Sequence, residues 1–118
     1  MGDLTKNFSL YEVVCRCCGK YQNTPQFWES IFKLQELRNL IGQPLIITSG
    51  YRCPSYNKAV RGAPQSSHLA GHAFDVIIPP NVSISQFIHL AKSVGFKGIG
   101  SYPKQNFVHL DLGPERYW

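Results

Sequence analysis

The stretch Ser66-Ser67-His68-Leu69-Ala70-Gly71-His72-Ala73-Phe74-Asp75 sets an imidazole and a carboxylate seven residues apart, with mostly small side chains between them. A further imidazole, His109, sits in the apolar run Phe107-Val108-His109-Leu110-Asp111. Two imidazoles and a carboxylate are the protein share of a catalytic zinc site, whose fourth position stays open to water. Convergence of His68, Asp75 and His109 on a single zinc would make the chain a metal-dependent hydrolase.

The sequence around these residues supports convergence. Asp75 lies inside Ala-Phe-Asp-Val-Ile-Ile, where a carboxylate is costly to bury unless it is paired or bound to metal. Strand alternation puts Ala73, Asp75 and Ile77 on one face and Phe74, Val76 and Ile78 on the other. It likewise groups Phe107, His109 and Asp111 against Val108 and Leu110. Two adjacent strands could present Asp75 and His109 side by side, with His68 arriving from the loop before the first. Gly71 permits the close turn this needs. For His72 and His89 a hydrogen-bonded structural role is the simpler reading, and the pattern places His89 on the outer side of a helix.

The elements that must position these residues can be read in order. Residues 1–23 form an irregular arm that Phe8, Leu10, Tyr11 and Val13-Val14 can pin to a core. Thr24-Pro25 opens a helix, with Thr as N-cap and Pro at the first helical position. Phe27, Ile31, Leu34, Leu37 or Arg38, and Ile41 make its apolar face, and Gly42 ends it. Pro44-Leu45-Ile46-Ile47-Thr48 reads as a short buried strand delivering Ser49-Gly50-Tyr51-Arg52. Residues 53–65 read as a loop. A strand from Ala73 to Ile78 follows. Ser83-Ile84-Ser85-Gln86 is a capping-box pattern for a second helix through Ile84, Phe87, Ile88, Ala91 and Val94, closed at Gly95. Gly98–Tyr102 and Phe107–Asp111 read as a hairpin. The expected fold is α+β, a single domain over 1–118 with helices packed on a small antiparallel sheet.

The length, 118 residues, suits one core, and an apolar content of 43% argues for packing rather than disorder. Lys and Arg number 12 against 7 Asp and Glu, a net charge of +5. That balance suits anionic surroundings. The basic residues are scattered, so a solvated basic surface is expected and nucleic-acid binding is not. No 18-residue apolar run is present, so no membrane insertion is expected. The N-terminus lacks the basic-then-apolar order of a signal peptide. Cys15, Cys17, Cys18 and Cys53 lack paired C-x-x-C spacing, which disfavours a zinc knuckle. Reduced thiols are the simplest reading. A Cys15–Cys53 or Cys17–Cys53 disulfide is the next, in an oxidising compartment. Nothing marks an oligomer interface, so a monomer is expected.

Ser66-x-His68-x-x-Gly71-x-Ala73-x-Asp75, followed by His109 in a Phe-Val-His-x-Asp context, resembles the M15 zinc D,D-peptidases. That family includes D-alanyl-D-alanine carboxypeptidases and dipeptidases and phage endolysins, and hedgehog signalling domains share its fold and zinc site. Ser49-Gly50-Tyr51-Arg52 with Asn57 matches the family's upstream motif. The Phe8-to-Cys18 arm and Arg116-Tyr117-Trp118 resemble its compact subgroup, so the resemblance spans nearly the whole chain.

The resemblance implies zinc held by His68, Asp75 and His109, and hydrolysis of an amide bond next to a D-amino acid in peptidoglycan stem peptides. Arg52 matches the arginine that holds substrate and steadies the oxyanion. Ser66 matches a serine near the substrate backbone, although a turn-stabilising hydroxyl fits equally. Many relatives carry an acidic residue three positions before the last zinc histidine, or a histidine two before it, as general base. Here Asn106 and Phe107 stand there, and neither takes a proton at neutral pH. Asp111 could serve as base, orient a ligand histidine, or cap the hairpin, and His72 is another proton acceptor. The missing acid supports an alternative, a catalytically silent zinc module that recognises a peptide or partner. The lack of a signal peptide suits a phage-encoded enzyme, made in the host cytoplasm or carried on the virion, that acts on the wall; a bacterial origin also fits.

Overall fold

The first long helix, α1 (Pro25–Ile41), begins and ends where local chemistry dictates. Thr24 is extended, and its hydroxyl accepts from the Phe27 N–H at 3.1 Å. Pro25 occupies the first turn, where no intrahelical partner for its nitrogen exists. Gly42 closes the helix in a left-handed conformation, its N–H returning to the Arg38 carbonyl. Phe27, Ile31, Leu34 and Leu37 are buried along one face, and Ile41 packs at its edge. In this computed structural model the described residues are 5–15, 19, 21, 24–51 and 73–117.

The remaining described elements are β1 (Ile47–Ser49), β2 (Ala73–Ile77), α2 (Ile84–Val94), β3 (Gly98–Tyr102), β4 (Phe107–Asp111) and β5 (Arg116–Tyr117). They form one sheet in the order β1-β2-β4-β3-β5. Neighbours are antiparallel except β5, which runs parallel to β3. The fold is α+β as expected. The sheet is mixed rather than wholly antiparallel, because the chain after β4 turns back and adds its last strand outside β3. Among the described residues no helix is long and apolar enough to cross a membrane.

Alternation divides the sheet into two faces. Phe74, Val76, Ile99, Val108 and Leu110 join Phe27, Ile31, Leu34 and Leu37 of α1 and Phe87, Ala91 and Val94 of α2 in the core. Ser83 caps α2 by accepting from the Gln86 N–H, and Gly95 ends it. Lys33 donates to the Val94 carbonyl at 3.1 Å, tying α1 to the end of α2. His89 is exposed.

Three local expectations need correction. The first strand is Ile47–Ser49 rather than Pro44–Thr48. Pro44 has no N–H for a ladder, and Ile46 contributes only its carbonyl, to the Ile77 N–H at 2.9 Å, while its side chain is exposed. Pairing then slips by one residue, Ile47 opposing Val76 and Ser49 opposing Asp75. Thr48 is the extra residue of this bulge, and its hydroxyl donates to the Asp75 carbonyl. Second, the arm contains a 3-10 turn, Leu10–Glu12. Third, Phe8 and Val13 pin the arm, but Tyr11 is 72% exposed and pins nothing. Side-chain oxygens outcompete it as anchors: Gln35 Oε1 accepts from Thr5 Oγ1 and from the Asn7 N–H.

Candidate active site

The face away from the helices carries the polar residues, arranged in two rows across the sheet. One row runs Ser49, Asp75, His109 and Gly100 over β1, β2, β4 and β3. The next runs Ala73, Asp111, Gly98 and Arg116 over β2, β4, β3 and β5. Period-2 alternation places Asp75 and His109 on this face, and the β2–β4 register makes them directly opposed. Each is 8% exposed.

Asp75 Oδ1 lies 3.1 Å from His109 Nδ1. Two ligands of a tetrahedral zinc with bonds of about 2.0–2.1 Å sit about 3.3 Å apart. The pair therefore already has the spacing of two metal donors, and its buried oxygen and nitrogen are of the types zinc accepts. Among the described residues no three potential ligands cluster. Of the expected set, His68 lies outside the described residues, as do Arg52, Ser66, His72, Asn57, Cys17, Cys18 and Cys53. Cys15 is buried in the arm.

On the other side of the ring, His109 Nε2 is 2.7 Å from Asp111 Oδ2. Asp111 is 0% exposed, and both its oxygens meet donors. Oδ1 accepts from the Gly113 N–H at 2.9 Å, and the Arg116 guanidinium forks across the carboxylate, Nη2 to Oδ2 at 2.8 Å and Nη1 to Oδ1 at 3.4 Å. Burial alone would raise the Asp111 pKa. The His109 hydrogen bond, the Gly113 N–H, and the His109 and Arg116 charges outweigh it and bring the pKa down to about 2. For His109, burial opposes the imidazolium, but the bonds to Asp111 and Asp75 and their charges prevail, so its pKa is raised.

Two glycines make the geometry possible. A Cβ on Gly98 would overlap the Asp111 carboxylate. A Cβ on Gly50 would overlap the Val13 backbone, whose carbonyl accepts from the Tyr51 N–H at 2.9 Å. The Gly50 contact is the physical reason for a glycine between Ser49 and Tyr51: the N-terminal arm lies against it. At the far end of the site face, the Tyr102 and Phe107 rings stack with centroids 4.6 Å apart. Asn106, where many relatives carry an acid, sits exposed in the left-handed turn before β4, with φ 60°. Sequence reasoning assigned no part to Gly98 or Arg116. The signal available was an arginine five residues after Asp111, beyond the Gly113-Pro114 turn.

The profile of the Peptidase M15 family matches residues 6–111. The chain is a member of the M15 peptidase family. Among its relatives is the peptidoglycan L,D-endopeptidase MepK of Escherichia coli K12, 35% identical over 101 residues, which cover 80% of this chain and 53% of MepK. A probable peptidoglycan L,D-endopeptidase MepK of Haemophilus influenzae is 31% identical over 99 residues, covering 80% and 53%. The zinc D-Ala-D-Ala carboxypeptidase of Streptomyces albus G is 31% identical over 93 residues, covering 75% of this chain and 36% of that enzyme. This M15 chain thus spans about half the length of the MepK proteins it matches.

Proposed function

We propose that this chain is a zinc metallopeptidase that hydrolyses an amide bond next to a D-amino acid in peptidoglycan stem peptides. The observation that carries the reading is the opposed, buried Asp75–His109 pair at metal-ligand spacing, with His68 seven residues before Asp75 in the M15 pattern. The relatives act on peptidoglycan or on a D-Ala-D-Ala bond by their names, and this supports the substrate class.

In this reading His68, Asp75 and His109 hold the ion. Bound zinc supplies Lewis acidity, activating water for attack and polarising the scissile carbonyl. With the ion bound, His109 would offer it the Nδ1 lone pair while Nε2–H donates to Asp111, so Asp111 would orient the ring and select its tautomer. Burial and four donor contacts keep Asp111 from moving a substrate proton, which favours the orienting role over that of general base. Arg52 grips the substrate and steadies the developing oxyanion, a task suited to a permanently charged, forked cation. Ser66 contacts the substrate backbone.

The exposed amide at Asn106 and the enclosed Asp111 leave no acid of the described residues placed as base. That favours, as the second reading, a zinc module that binds peptide without cutting it. Incubation of purified protein with peptidoglycan, with and without chelator, separates the two. New amino termini that disappear with chelator and in His68→Ala support the peptidase. Bound zinc with no cleavage supports the silent module.

A further inference from the structure

We propose that Arg116 is a positioning residue for the site, acting through Asp111 to hold the His109 imidazole in its metal-binding pose. This inference rests on the zinc reading above and goes beyond it by giving the β5 strand a part in the site.

Arg116 does not stand next to Asp111 in the sheet. β3 lies between β4 and β5. In the row Asp111, Gly98, Arg116 the middle position is a glycine. Neighbouring strands are about 4.8 Å apart, so an arginine two strands away can reach the carboxylate only if nothing rises between them. Gly98 leaves that space to the Asp111 carboxylate, which a Cβ there would overlap. The guanidinium meets the carboxylate and engages both oxygens, while Nη1 also donates to the Pro114 carbonyl at 3.1 Å. The strand is itself fixed, because the Arg116 N–H donates to the Lys97 carbonyl at 3.0 Å.

The fork has a mechanical consequence. A carboxylate held by one donor can rotate about its terminal bond. One held across both oxygens has its plane set. Oδ2, the atom that receives His109 Nε2, is one of the two that Arg116 grips. The Gly113 N–H holds Oδ1, and Arg116 adds its shorter bond at Oδ2, so β5 shares in setting the imidazole orientation at the metal side. The Arg116 side chain is 39% exposed but Asp111 is 0% exposed, so loss of the guanidinium would take a charged partner from a buried carboxylate as well as loosen the site.

The test compares wild type, Arg116→Gln and Arg116→Lys. Zinc affinity is measured by competition with a chromophoric chelator, and the His109 Nε2–H resonance is followed by NMR in the zinc-loaded protein. In the folded variant, Arg116→Gln is expected to weaken zinc binding about tenfold, the lower end of outer-shell effects, and to move and broaden the Nε2–H resonance. Arg116→Lys keeps the charge but loses the fork and should fall between the two. Wild-type affinity and an unmoved resonance in folded Arg116→Gln overturn the inference. Should that variant not fold, Arg116→Lys decides: weakened zinc supports the inference and wild-type affinity overturns it. A wild type that takes up no zinc overturns the zinc reading itself. A wild type that binds zinc as tightly as its Arg116 variants overturns only the role of Arg116.

Discussion

Replacing Asp111 by Asn keeps the shape of a buried side chain and removes its charge. The carboxylate accepts at both oxygens, from Gly113 and Arg116 on one side and from His109 and Arg116 on the other. An amide has only one accepting end. If that end faces His109 Nε2, its NH2 confronts the Gly113 N–H, two donors pointed at each other. Loss of a hydrogen bond to a charged group costs roughly 1.5–3 kcal/mol. A second route gives a similar figure: the Asp111 pKa falls from 3.8 to about 2 in the folded chain, and each unit is worth about 1.4 kcal/mol, so about 2 kcal/mol. With an unfolding entropy of about 2 cal/mol/K per residue, that is roughly 8 °C in melting temperature for a chain of this length.

The pH dependence gives this prediction its sharper edge. The Asp111 pKa is depressed on folding, so its contribution is complete above the unfolded value of 3.8 and is lost as pH falls through about 2. His109, whose pKa is raised, stays imidazolium in folded and unfolded chain throughout that acid window. Melting curves of metal-free wild type and Asp111→Asn, followed by circular dichroism from pH 6 to pH 2, should differ by about 8 °C at pH 6 and converge toward pH 2. A gap that persists unchanged at pH 2, or no gap at pH 6, would refute the reasoning.

Other outcomes follow from the same geometry. Asp75→Asn removes an anionic donor from the His109 pair and should lower zinc retained after dialysis, read by elemental analysis, by more than the roughly 10–100-fold of outer-shell changes; full retention removes Asp75 from the ligand set. Arg52→Lys should lower kcat/KM on a stem-peptide substrate by about tenfold or more, because an ammonium cannot grip two oxygens; near-normal turnover contradicts its assigned role. Leu34→Ala, at a fully buried position of α1, should cost about 2–5 kcal/mol in urea denaturation, and a cost under about 1 kcal/mol would mean that the α1 face is not the core described.

Much of the architecture was written in local chemistry. Thr24-Pro25, Gly42, Ser83 and Gly95 bound α1 and α2 where capping rules place them, because caps satisfy backbone groups within a few residues of themselves. Alternation in 73–77 and 107–111 assigned Asp75, His109 and Asp111 to the faces they occupy, because side-chain direction in a strand has period 2 wherever the strand lies. The same patterns did not show the bulge at Thr48 or the parallel β5. A bulge depends on the partner strand, and a strand of two residues carries no periodicity.

For Asp75, His109 and Asp111 the residue type and the face each occupies follow from the one-dimensional pattern alone. Tertiary structure decided who faces whom. Register placed Asp75 opposite His109, and folding laid the Asp111 carboxylate over Gly98, where Arg116 reaches it from a strand it does not adjoin in the sheet. The physical reason is range. Capping and alternation act over a few residues of chain, whereas pairing and close approach are settled by which strands lie together and how tightly they pack.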